Sequence, residues 1–145
     1  MNFNLKKHLI WDELAKILEQ IDMNALVREH LESCNYKVMG YWDGNELYEE
    51  IAFASSPDAE LASSSFGTTL SSHHSSNWIK LRFLLKADTS TSGTKTVSED
   101  EEIGELILIL NENLEIIDEN WIIDVESPFV VAKRGKDLNQ KLLQA

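Results

Sequence analysis

Cysteine, proline and glycine are scarce in this chain. Its 145 residues include one cysteine, two prolines and six glycines. Because the single Cys34 has no second cysteine to pair with, internal disulfides do not hold the fold, and a reducing compartment suits it better than a secreted one. The scattered glycines form neither a GxGxxG nor a GxxxxGK[ST] phosphate loop, so we expect no cofactor. The expected location is the cytoplasm.

Long apolar runs are also absent. The longest, LILIL at residues 106–110, is far shorter than the ~18–20 residues of a membrane-spanning helix. The amino-terminal residues MNFNLKKHLIWDELAK contain no apolar stretch followed by a cleavage site, so no signal peptide is predicted. We expect a soluble protein that does not bind membranes.

Positive charge is in short supply. Lys and Arg number 13 against 25 Asp and Glu, which gives a formal net charge of −12. Such a chain repels phosphate backbones and has no dense basic patch, so direct binding of nucleic acid is not expected. An acidic chain can instead meet basic partners, although acidity more often only keeps a protein soluble.

Apolar residues are abundant and well organised. They make up 43% of the chain, and this content and length predict a single folded domain over residues 1–145. Near the amino terminus, apolar side chains recur at helical spacing opposite a charged face: Ile10, Leu14, Ile17, Leu18 and Ile21. A second helical segment is predicted to follow, with Asp22 or Asn24 as its cap and Asn35 at its end.

Strand patterns occupy much of the remaining chain. Asp43-Gly44 lies between aromatic and β-branched residues in YKVMGYWDGNELYEEIAF, which predicts a hairpin over residues 36–53 with these two residues at the turn. Residues 78–86 alternate apolar and mostly polar side chains, which is typical of a strand with one buried face. Residues 105–110 predict a central strand, a further strand runs towards Val125, and Pro128 confines residues 129–131 to a sheet edge or strand start.

Polar stretches separate these elements. In residues 55–76, 11 of 22 residues are Ser or Thr, and residues 87–102 have almost no apolar content; both stretches predict long flexible loops. A polar tail is expected over residues 133–145. The complete pattern predicts an α+β fold in which an amino-terminal amphipathic helical segment packs on a curved antiparallel sheet of four to six strands.

Glu49 is the most notable carboxylate. Strict alternation in the hairpin places it among apolar neighbours, where burial favours a general acid or base, whereas a bulge places it in water. The residues that form a pocket with it in the first case are Tyr36, Trp42 and Tyr48. We favour the solvent-exposed position.

The histidines give little support for a reactive centre. His73 and His74 are adjacent and therefore point to opposite sides of an extended chain, and no CxxC, HxxxH or HExxH motif adds further ligands. No metal site is expected. His30 and Cys34 are four residues apart on one helical face, but apolar Val27 and Leu31 share that face, so an inert buried thiol is favoured over a catalytic pair.

A non-enzymatic protein-interaction or assembly module is the function that these patterns favour. The sheet is predicted to be apolar on both faces, and one helical segment is too little to cover both. A protein partner or a second copy of the chain is therefore expected to cover Trp78, Leu84, Leu106, Leu108 and Leu110. The alternative is a small-molecule-binding domain or an enzyme with a pocket between helix and sheet around Glu49.

Replacing both His73 and His74 by Ala is expected to leave thermal stability unchanged, with or without a chelator, because the dipeptide lacks the further ligands that a metal site needs. The measurement is thermal unfolding of the unmodified and the doubly substituted chains. A chelator-dependent loss of stability confined to the unmodified chain contradicts this expectation.

Overall fold

A computed structural model describes residues 4–71, 73, 75–87 and 101–135. These residues form two α-helices, α1 (Ile10–Glu19) and α2 (Met23–Ser33), after a short 3-10 turn at Leu5–Lys7. Seven strands follow: β1 (Lys37–Asp43), β2 (Glu46–Phe53), β3 (Asp58–Leu70), β4 (Ser75–Lys86), β5 (Glu102–Leu110), β6 (Ile116–Ile123) and β7 (Val130–Arg134). They build two antiparallel sheets, so the predicted α+β class with amino-terminal helices is confirmed.

Local capping separates the two helices. The Asp22 side chain accepts a hydrogen bond of 3.1 Å from the Ala25 backbone N–H and so satisfies an open donor at the start of α2. Beyond the carboxyl end of α2, Asn35 and Tyr36 adopt positive φ angles of 56° and 57°, which turn the chain into β1. The predicted cap at Asp22 is confirmed.

The smaller sheet has the order β1-β2-β7. Asp43 pairs with Glu46 in the β1–β2 hairpin, so Gly44 and Asn45 form the turn, one position later than predicted. The positive φ of Gly44 explains why glycine is needed there. An ion pair of 3.2 Å joins Lys37 of β1 to Glu50 of β2. β7 lies at the sheet edge just after Pro128, as predicted.

The larger sheet has the order β3-β4-β5-β6 and requires a correction to the predicted loop at residues 55–76. Residues 58–70 of that stretch form β3, which pairs with β4 along its whole length. A register shift between Leu61 and Ser63 changes which side chains face inwards, from Ala59 and Leu61 to Ser64 and Phe66. This bulge interrupts the alternation that would otherwise mark the strand in the sequence.

One apolar core lies between the two sheets and α2. Val27 and Leu31 of α2 are buried in the same cluster as Ile51 of the smaller sheet and Phe83 of the larger one. The predicted inward face of β4 is confirmed, since its four apolar residues are all buried: Ile79, Leu81, Phe83 and Leu85. The sequence predicted one sheet of four to six strands. The described residues instead form seven strands in two sheets, which share one apolar core.

The interface predicted on the β5 leucines is wrong. Leu106, Leu108 and Leu110 each have 0% exposure, because they face the core that the second sheet and α2 close. Trp78 and Leu84 point to the opposite face of the larger sheet and are half-buried. Only these two of the five predicted interface residues retain area for a partner.

The carboxyl-terminal half contains strand residues where a polar tail and a loop were predicted. Lys133 and Arg134 belong to β7 rather than to a polar tail, and residues 136–145 lie outside the described part of the chain. Of the predicted loop at 87–102, residues 88–100 also lie outside it, while Glu102 begins β5. None of the described helices has the length and apolar content to cross a membrane.

A tryptophan packed on a glycine fixes the register of β3 and β4. Gly67 pairs directly with Trp78, and a Cβ atom at Gly67 would overlap the indole ring. The ring nitrogen of Trp78 also donates a hydrogen bond of 3.1 Å to the Thr69 hydroxyl. A side chain at position 67 therefore displaces the ring from both contacts.

We expect Gly67→Ala to lower the free energy of unfolding by ~1–3 kcal/mol, since overpacking forces either the ring or the strand to move. Urea denaturation followed by circular dichroism measures the change. Ser65→Ala is the matched control on the same strand, because Ser65 is exposed. Equal stability of the two variants would show that the indole ring does not depend on the missing Cβ atom.

Candidate functional site

An open apolar groove, here called the helix groove, lies between α1 and the β3–β4 hairpin. Its volume is about 1020 Å³. Side chains of α1 form one wall, and Phe66 and Ile79 contribute to the other. Apolar lining residues from both walls and from the neighbouring turn are Leu5, Ile10, Trp11, Leu14, Ile17, Trp78 and Leu114.

The helix α1 is amphipathic but contributes no buried residue. Ile10 and Ile17 are each 40% exposed, and Trp11 is 51% exposed. Only the end of the helix reaches the core, where Leu18 packs against buried residues. Ile10, Leu14 and Ile17 of the predicted stripe therefore line the open helix groove, whereas Leu18 and Ile21 pack against the core.

A second concave surface, here called the strand cleft, lies between β1 and β6. It has a volume of about 550 Å³ and is lined by Cys34, residues 37–42 and residues 119–121. The Tyr41 hydroxyl bridges the two sheets beside it. It accepts a hydrogen bond of 2.9 Å from the Ile123 N–H and lies 3.4 Å from the Ile123 carbonyl oxygen, to which it donates.

A polar and aromatic cluster lies beside the strand cleft. The His30 ring nitrogen Nε2 is paired with the Glu119 carboxylate, and the His30 ring stacks on Trp121 with centroids 6.1 Å apart. Trp121 in turn contacts Phe53 at 5.9 Å. The cluster connects α2 with both sheets, and the His30 side chain is only 14% exposed. A structural role in joining these elements follows from these contacts.

His30 and Cys34 have separate partners. The Cys34 thiol donates to the Leu31 carbonyl oxygen at 3.3 Å, while His30 is engaged by Glu119. The thiol also lies at the carboxyl end of α2, where backbone carbonyls point towards it. A nucleophilic thiolate is stabilised at the opposite end of a helix. This arrangement fits a thiol that donates a hydrogen bond.

The four predicted pocket residues do not converge. Glu49 is exposed, because the pairing of β2 with β7 shifts register between Tyr48 and Glu50. Tyr48, its neighbour in the chain, is buried instead. Its hydroxyl donates to Glu46 at 3.0 Å, and this hydrogen bond to a carboxylate raises the pKa of Tyr48. Trp42 alone of the four lines the strand cleft, and it is 62% exposed.

An ion pair stands on the outer face of the larger sheet, where Trp78 and Leu84 also lie. Arg82 forms two hydrogen bonds with the Glu105 carboxylate, one of them 3.1 Å long. These hydrogen bonds lower the pKa of Glu105 and raise that of Arg82. The pair neutralises charge between the neighbouring apolar side chains of this face.

Metal ligands do not cluster in the part of the chain that the structure describes: no group of three or more His, Cys, Asp or Glu residues is close enough to hold an ion. His73 is exposed, and His74 is outside the described residues. Comparison of the chain with protein-family models, with curated proteins and with solved structures gave no match. The roles of the candidate sites are therefore inferred from the geometry of this chain.

We expect Tyr41→Phe to lower the free energy of unfolding by ~1–3 kcal/mol, because it removes the partner of two backbone groups at Ile123. Urea denaturation provides the measurement. Tyr36→Phe is the control: Tyr36 is also half-buried, and its hydroxyl lacks a hydrogen bond within the described residues. Similar losses in both variants would mean that the bridge to Ile123 contributes nothing specific.

Proposed function

We propose that this protein is a non-enzymatic interaction module that receives an amphipathic, basic helical segment of a partner protein in the helix groove. The observation that carries the proposal is the state of α1, an amphipathic helix with no buried residue, whose apolar side chains Ile10, Leu14 and Ile17 line the groove. A helix of ten residues is marginal in isolation and gains most of its stability from packing of its apolar face. A bound helix supplies that packing.

The size and character of the groove support a helical occupant. Soluble monomers rarely expose apolar patches larger than a few hundred Å², and larger ones mark interaction sites. A partner helix placed in such a groove uses apolar side chains at helical spacing as anchors. Ile10, Leu14 and Ile17 on one wall and Phe66 on the other offer contacts for anchors of this kind.

Charge favours a basic partner. The chain has a net charge of −12, Glu112 lines the groove, and Asp12 and Glu13 are exposed on α1. Opposite charge on the polar face of the partner increases the rate of association and disfavours acidic competitors. A cytoplasmic location belongs to the same proposal and rests on the single unpaired Cys34.

A small apolar molecule is the second candidate for the helix groove. Ligand pockets usually enclose ~300–1,000 Å³, and the groove volume of about 1020 Å³ is close to that range. Native mass spectrometry of the protein purified from its source distinguishes the two occupants, because a retained small molecule adds a discrete mass.

Ile10→Ser and Ile17→Ser test the helical partner. The probe is a designed peptide with Leu and Lys at helical spacing, and a scrambled peptide of the same composition is its counterpart. We expect the unmodified chain to bind the helical peptide and each variant to bind about tenfold more weakly, because an apolar contact is lost. Both isoleucines are 40% exposed, so folding is not expected to suffer.

Glu29→Ser on α2 is the control variant for this experiment, since Glu29 is exposed and does not line the groove. Fluorescence anisotropy of the labelled peptide measures binding, and sedimentation detects any self-association. Equal binding of the helical and scrambled peptides, or equal binding by all variants, contradicts the proposal. A dimer that both isoleucine substitutions dissociate would assign the groove to a second copy of the chain.

A further inference from the structure

Two free strand edges line the strand cleft. β1 is at the edge of the smaller sheet and β6 is at the edge of the larger one, so neither has a second neighbouring strand among the described residues. Residues 37–42 and 119–121 face each other across the cleft. Free strand edges carry unpaired backbone groups and act as templates for a further strand.

The pattern of hydrogen bonds between β1 and β2 directs the backbone N–H and C=O of Met39 towards the cleft. The Phe53 N–H donates to the Tyr36 carbonyl oxygen at 3.0 Å. In an antiparallel pair, residues alternate between exchanging hydrogen bonds with the partner strand and pointing away from it. Lys37 and Met39 therefore point away from β2, and the Lys37 N–H accordingly donates to the Cys34 carbonyl oxygen at 3.2 Å. Met39 is left with its N–H and C=O directed to the free edge.

The same alternation applies to β6. The backbone of Ile123 is turned away from β5, because its N–H donates to the Tyr41 hydroxyl. Trp121, two residues earlier, has the same orientation and so directs its N–H and C=O towards the cleft. The Glu119 N–H also points outwards and donates to the Asp118 side chain at 2.9 Å. Both walls of the cleft therefore present backbone groups.

We propose that the strand cleft binds an extended, basic segment of a partner protein, which adds to the free edge of β1 as a new strand. Backbone hydrogen bonds to Met39 give the affinity, as in other cases of strand addition to a sheet edge. Met39 and Trp42 line the cleft, are 65% and 62% exposed, and offer apolar contacts to side chains of the segment. β6 forms the opposite wall.

Charge selects this occupant over a second copy of the chain. Lys37, the basic residue of the cleft lining, is already paired with the Glu50 carboxylate at 3.2 Å. The Glu119 carboxylate lines the cleft and its side chain is 45% exposed, and Asp43 is exposed at the end of β1. These groups favour a basic segment, whereas edge-to-edge pairing of two chains that each carry a net charge of −12 is disfavoured by repulsion. The site is distinct from the helix groove and does not depend on the function proposed for it.

Met39→Pro isolates the backbone contribution. Proline lacks the N–H that the guest strand would use, and it is tolerated on an edge strand at a position that does not bond to the neighbouring strand. Met39→Val is the matched control because it keeps the N–H. The probe is a displayed library of short random peptides selected on the full-length unmodified protein.

We expect the selected peptides to be basic and free of proline at alternate positions, to bind Met39→Pro about tenfold more weakly than the unmodified chain, and to bind Met39→Val normally. In the unmodified chain, bound peptide is also expected to slow hydrogen exchange of the Met39 amide. This measurement tests strand addition to β1 even if Met39→Pro fails to fold. Failure to select any peptide, unchanged exchange at Met39, or dimerisation through β1 in place of peptide binding would overturn the proposal.

Discussion

The packing of α2 against the core that both sheets share is the interaction on which the rest of this structure depends. Val27 and Leu31 are almost fully buried there, and complete burial of such side chains contributes ~1.5–3 kcal/mol each. His30 extends the same contact through Glu119 and Trp121. Val27 and Leu31 of α2 belong to one core with residues of both sheets, and the free edges β1 and β6 line one cleft. Only Leu18 of α1 packs against this core, so Ile10 and Ile17 remain exposed.

Sequence reasoning recovered the features that depend on uninterrupted patterns. The alternation in β4, the cap at Asp22 and the edge position of the strand after Pro128 are local signals that the tertiary structure leaves unchanged. The features it missed lie at bulges. The irregularity near Glu49 exchanges the buried and exposed positions of β2, and the one after Leu61 hides β3 within a serine-rich stretch. A single additional residue reverses the face of every side chain that follows it.

The burial of the β5 leucines was unpredictable for a different reason. Leu106, Leu108 and Leu110 are apolar in any reading of the sequence, but only the tertiary arrangement decides whether a second chain or a second sheet covers them. The helix groove is the converse case. Its α1 wall was visible as a helical stripe, whereas the lack of a covering layer is a property of the assembled fold. The pattern of apolar residues in the sequence therefore predicted which faces are apolar, but not what covers each of them.

The strand order of the smaller sheet has a consequence for how the chain folds. β2 ends at Phe53, yet its partner β7 begins at Val130, whereas every other strand pair among the described residues joins strands that are consecutive in the sequence. Hairpins between consecutive strands close short loops and form early, while a pairing between distant segments must first close a long loop. The larger sheet and the β1–β2 hairpin can consequently assemble during synthesis, before β7 is available. Val130 belongs to the shared core, so the smaller sheet and that core are complete only once β7 has paired with β2.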